Sequence, residues 1–157
     1  MTCRRLIQGA TLAYAIFVAV ICFMPQPNFG LEETPGIQHF GRVVVLLRPF
    51  NTLWGWQAIN SFRQLVWVIC QNVMNIFLLY PLVLGLLHLF PSLRSMARAI
   101  KLAFYLSLSI ELTQIVLDLL IDANRVFEFD DLWTNTLGGL LAYLTYRHVT
   151  SKHINID

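Results

Sequence analysis

Glu111, Gln114 and Asp118 carry the strongest chemical signal in the chain, because they sit inside a long apolar run. Their i, i+3, i+7 spacing puts them on one stripe of a helix. A carboxylate in such a run needs a cation, a donor network or a proton, and one held away from water is a candidate general acid or base; Glu111 is that candidate. Arg125, Glu128, Asp130 and Asp131 follow in a short turn, and then Asn135 and the pair Gly138–Gly139 enter a second apolar run. Arg125, with Arg48 further back, suits phosphate or carboxylate recognition. The amides Asn72 and Asn75 lie in a third run. Together Asn72, Asn75, Gln114, Arg125, Asp131, Asn135 and Arg48 form the candidate ligand-binding set.

The elements that must position these groups follow from composition. The chain has 157 residues, of which 57% are hydrophobic and 13% charged. Soluble domains carry roughly 25% charged residues, so the class is membrane protein, in one domain spanning 1–157. The net charge of +2 is too small to point to nucleic acid. Four apolar stretches, at about 6–24, 65–90, 100–121 and 132–149, are each long enough or nearly so to cross ~30 Å of hydrocarbon at ~1.5 Å per residue. The fold class is all-α, a polytopic bundle of four transmembrane helices. The first stretch is too long for a signal-peptide core and lacks a small-residue cleavage site.

Arginine and lysine orient the bundle. Arg4 and Arg5, then Arg94, Arg98 and Lys101, then Arg147 and Lys152 fall on one side if there are four spans. That side is cytoplasmic, and both termini lie there. The opposite side receives residues 28–63 and 122–131. Within the first of these, Val43–Leu47 is apolar but too short to span, and Trp54 and Trp56 suit a membrane interface. Residues 40–62 are expected as an interfacial or partly re-entrant segment over the outer mouth.

Counting 1.5 Å per residue from the outer ends places Glu111 and Asn75 about 15 Å deep, Gln114 and Asn72 about 10 Å, and Asn135 about 5–9 Å. Independent counts on three helices thus put a carboxylate and several amides in one layer. Each stripe should face the interior rather than lipid. Gly138, Gly139 and Ala142 offer small surfaces for close helix approach. The plainer reading of the amides is interhelical glue, worth about 0.6 kcal/mol on average. Pro81 should free the carbonyl of Phe77, either opening a pocket or being covered by a neighbouring side chain. Cys22 and Cys70 are expected as packing residues. His39, His88, His148 and His153 do not converge, no Cys/His spacing suggests zinc and no glycine-rich phosphate loop is present. No metal and no cofactor are expected, and the acidic turn is expected to be solvated.

These residues, taken in order, resemble the VanZ-like family of small bacterial membrane proteins. The resemblance rests on Asn75–Ile76 leading to Pro81, on Glu111-x-x-Gln114, on Arg125 in the following turn, and on Glu128, Asp131, Asn135 and Gly138 at acid-x-x-Asp-x-x-x-Asn-x-x-Gly spacing. A weaker block joins Leu47, Pro49, Phe50 and Thr52. The chain departs from the family at Val83, Glu128 and Leu46, where Gly, Asp and Asn are usual. The resemblance implies a multi-pass protein of the bacterial cytoplasmic (inner) membrane and an association with resistance to the glycopeptide teicoplanin.

Three functions fit this reading. The favoured one is a protein that binds or modifies an envelope amphiphile, such as a lipid-linked precursor or a lipoglycopeptide, in a polar pocket of the outer half-membrane. The second is a small carrier in which Glu111 handles a proton; a homo-oligomer could supply the helices that alternating access needs. The third is a non-catalytic scaffold with the polar set as glue. The expected partner is membrane lipid or a lipid-linked envelope precursor, and in the third reading another envelope protein.

Overall fold

The computed structural model describes residues 2–26, 36–51, 59 and 61–154. The molecule is mostly helical. Four α-helices are present among the described residues: α1 (Thr2–Phe23), α2 (Phe62–Leu89), α3 (Met96–Ile121) and α4 (Phe129–Ile154). Three short strands, β1 (Gln38–Phe40), β2 (Val43–Leu46) and β3 (Val126–Glu128), form one sheet.

The helices outrun the apolar stretches because their caps lie in the polar flanks. The Ser61 hydroxyl accepts from the Gln64 N–H at 3.0 Å and starts α2, and Ser95 does the same for α3. Pro91 forces Phe90 into an extended conformation and stops α2. The arginines that orient the bundle in the sequence are pinned here: Arg94 donates to Leu87 O and His88 O, the open carbonyls of the last turn of α2.

Helix α2 runs unbroken through Pro81. Tyr14 of α1 donates its hydroxyl to Leu78 O at 3.0 Å, next to the carbonyl that the proline leaves open.

Helices α1, α2 and α3 are each long and apolar enough to cross a membrane. Helix α4 begins with Asp130 and Asp131 and carries Arg147, and it packs chiefly on α2 and α3. Adjacent glycines on α4 serve the two neighbours, about 100° apart on the helix. A Cβ on Gly138 would strike the Ile76 carbonyl of α2, and one on Gly139 would strike Ala103 of α3. Behind them the core stacks Leu79, Val83 and Leu87 with Ala99, Ala103 and Ala142. Cys22 belongs to this core, whereas Cys70 is exposed; the packing expectation fails for Cys70, whose neighbours on α2 among the described residues, Val66, Ile69 and Val73, are likewise exposed.

The sheet was not expected. Residues Val43–Leu46, anticipated as part of an interfacial or re-entrant segment, form β2. It pairs antiparallel with β1 (His39 opposite Val44) and parallel with β3 (Val45 opposite Phe127). Val44, Val45 and Leu46 are buried. Trp54 and Trp56 lie outside the described residues. β3 lies in the turn expected to be solvated; pairing with β2 converts it into the third strand. The sheet closes the end of the bundle where α1 and α3 finish and α2 and α4 begin.

Gly138→Leu should be severely destabilising, since overpacking against backbone leaves nothing soft to move. A loss of about 1–3 kcal/mol or more is expected, measurable as a lower unfolding midpoint in detergent, with Gly9→Leu, which meets open space, as the unaffected control.

Candidate functional site

The stripe on α3 begins one turn before Glu111. Ser107, Glu111, Gln114 and Asp118 are all buried, at 0%, 1%, 9% and 1% exposure. The sequence reading missed Ser107, although its i−4 spacing from Glu111 announces it. What each group touches divides the stripe into two parts.

The inner part joins α2, α3, α4 and β3. Glu111 Oε2 accepts from the Glu128 backbone N–H at 3.1 Å. The Glu128 side chain in turn accepts from Gln71 of α2. One turn along α2, Asn75 donates to Asp131 Oδ1 at 2.5 Å. Ser107 donates to the Asp131 carbonyl at 3.1 Å and accepts from Asn135 at 3.0 Å. Asn75, Asp131 and Asn135 thus share one network, with Glu111 joined to the neighbouring strand β3. Gln71 and Glu128 belong with them; Gln71 precedes Asn75 by one helical turn, which is the signal that could have found it. Glu128 and Asp131 remain partly exposed, while Glu111 and Asn135 are closed off.

The outer part is different. Gln114 donates to Cys22 O at 3.0 Å, and Arg125 donates to Ile21 O. These are end carbonyls of α1, which no helical N–H reaches. A cation at a helix C-terminus also meets the negative end of the dipole. Asp118 Oδ1 accepts from the Arg125 N–H at 2.8 Å. Arg125 is only 8% exposed. The cation expected at the mouth for an anionic ligand thus points sideways, into α1.

Asn72 donates to Val68 O of its own helix at 2.8 Å. Arg48 is exposed beyond the end of β2. Next to it Phe50 adopts φ +53°, a left-handed conformation that costs a bulky residue about 1–3 kcal/mol. It is held by Asp130, 4% exposed, whose Oδ1 accepts both the Phe50 N–H at 2.6 Å and the Trp133 indole N–H at 3.0 Å. One buried acid thereby fixes two aromatic rings, with centroids 5.4 Å apart.

Burial raises the pKa of Glu128 to about 7, with the bond from Gln71 opposing and the Asp130 charge adding to the rise. Among the described residues no group of three His, Cys, Asp or Glu is arranged to hold a metal ion. A groove of about 280 Å³ opens between α1 and α2, lined by Arg4, Gln8, Thr11, Leu86 and Phe90 among others. Its lining on α1 runs from Arg4 to Ala15 and includes none of the carboxylates; at ~1.5 Å per residue its near edge is about 10 Å along the helix from Cys22.

Apolar helices of membrane length around a polar end closed by a small sheet define a helical membrane protein. A family model described as VanZ/LLP1 matches residues 11–150, nearly the whole chain, and the chain belongs to that family. No curated protein and no solved structure matches it.

The Glu128 shift has a sign. The unfolded carboxyl ionises first, near pH 4.5, while the folded one holds its proton to about pH 7. Between these values the folded state binds more protons, so its stability falls as pH rises. Glu128→Gln should flatten the pH 4.5–7 slope of the thermal midpoint; an unaltered slope would show that Glu128 is not the group responsible.

Proposed function

We propose that this protein binds the polar headgroup of an envelope amphiphile at the sheet end of its bundle. The observation that supports this best is the meeting of three carboxylates, Glu111, Glu128 and Asp131, with Gln71, Asn75 and Asn135, drawn from three helices and a strand. Membrane interiors rarely hold such groups without a ligand, pathway or proton to justify them. Glu128 and Asp131 are the contact groups. Glu111 lies behind them and orders the Glu128 backbone, so binding is favoured over acid–base catalysis. Gln114 and Arg125 are assigned to holding α1, the glue role of the third reading.

In this proposal α4 is the fourth span, sheltered by α2 and α3, and the sheet end faces outward. The arginines at the other end, Arg4, Arg5, Arg94 and Arg98, then face the cytoplasm, as do both termini. Reporter fusions test this: a C-terminal fluorescent protein should be bright, and a C-terminal alkaline phosphatase inactive. The reverse pattern would place α4 on the membrane surface or invert the bundle.

Family membership suggests a role in glycopeptide resistance. Expression in a susceptible host should lower teicoplanin susceptibility, and Glu128→Gln or Asp131→Asn should remove most of that protection at equal membrane abundance. Full protection by both variants would exclude the carboxylates from the function.

A further inference from the structure

The groove between α1 and α2 lies toward the end of the bundle away from the sheet. Arg4, Gln8, Leu12 and Ala15 line it on α1 at i, i+4, i+8, i+11, one stripe of the helix, and Leu82 and Leu86 line it on α2. At ~1.5 Å per residue it runs about 16 Å along α1, from Arg4 to Ala15, and about 12 Å along α2, from Leu82 to Phe90. A volume of about 280 Å³ over that length leaves about 20 Å² in section, room for one hydrocarbon chain and none for a helix of ~10 Å diameter. The length matches one leaflet, half of a hydrocarbon core of ~30 Å.

The two helices touch beside this slot, where a Cβ on Gly85 would strike the Thr11 hydroxyl. At its deep end the Tyr14 hydroxyl joins them through Leu78 O at 3.0 Å. Thr11 spends its own proton on Ile7 O at 2.7 Å. The side-chain donors left to meet a ligand are therefore Arg4 and Gln8, both at one end.

Charge at that end is a second observation. The first turn of α1 carries no acid. Arg94 and Arg98 are spent on the backbone carbonyls of Leu87, His88 and Ser92. Arg4 differs: it is exposed, and among the described residues it makes no hydrogen bond or ion pair. It stands at the start of a helix apolar enough to cross a membrane, so its guanidinium reaches the headgroup level.

We propose that this groove holds one anionic phospholipid of the leaflet on the N-terminal side of α1. One acyl chain lies between α1 and α2, and the phosphate meets Arg4 and Gln8. The guanidinium fork suits phosphate oxygens, and the Gln8 amide donates beside it. This site shares no residue with the headgroup site at the sheet end, and either can stand without the other.

The test is native mass spectrometry of the full chain in detergent, titrated with dioleoyl phosphatidylglycerol and with dioleoyl phosphatidylcholine. Free glycerol 3-phosphate, added as a competitor, separates a lipid site from a site for the anion alone. One phosphatidylglycerol should be held most tightly, and glycerol 3-phosphate should not displace it. Arg4→Gln should weaken phosphatidylglycerol about fivefold, the worth of one basic residue at an anionic lipid surface. Arg5→Gln, next in sequence but outside the lining, should leave it unchanged. Ala15→Phe should fill the slot and weaken both lipids alike. Circular dichroism checks that this variant folds, and the exposed Arg4→Gln and Arg5→Gln pair decides the matter if it does not. Equal losses in Arg4→Gln and Arg5→Gln would reduce the effect to general surface charge and overturn the site. So would phosphatidylglycerol binding that Arg4→Gln leaves unchanged, displacement by glycerol 3-phosphate, or a folded Ala15→Phe that holds both lipids as before.

Discussion

Three buried carboxylates each hold one backbone N–H of the irregular chain at the sheet end. Glu111 takes Glu128, Asp118 takes Arg125 and Asp130 takes Phe50. Backbone outside helices cannot be left unsatisfied near hydrocarbon, because an orphaned polar group there costs several kcal/mol. The connections after β2 and after α3 are irregular, and the acids are what make them tolerable. Each acid therefore holds the fold before it can serve any ligand, and the strands are kept in register by side chains on the helices.

The closing of α4 onto α2 and α3 depends on the same economy of space. Gly138 lets α4 reach the Ile76 carbonyl, and Asn75, the residue before it, meets Asp131 two turns up α4. Gly139 brings α3 as close on the other side, and Ser107, one turn beyond Ala103, reaches both Asp131 and Asn135. Helix approach and polar network are one arrangement: bulk at either glycine would separate the amides from the carboxylates they bond.

The electrostatic consequence was the least visible in the sequence. Arg125 stands in a turn crowded with acids, which suggests a salt-bridged mouth. Its guanidinium instead completes the end of α1, where carbonyls without donors and the helix dipole both favour a cation. Residue type and spacing do not tell that this guanidinium is aimed at the Ile21 carbonyl and not at a ligand.

The stripe Glu111, Gln114, Asp118 was legible from residue spacing, because a helix has a fixed rise and turn and apolar runs declare their length. The same rules located α1, α2 and α3. Spacing could not tell which partner each polar group would take: Gln114 and Glu111 share a face, yet one caps α1 and the other ties down β3. Nor could it announce the sheet. β2 and β3 are separated by two long helices, so their pairing is a contact of high sequence separation with only three or four residues to signal it. Local periodicity placed the helices and their polar faces. The tertiary structure alone decided which orphaned backbone groups those faces would satisfy, because that depends on where chain ends from distant segments come to lie.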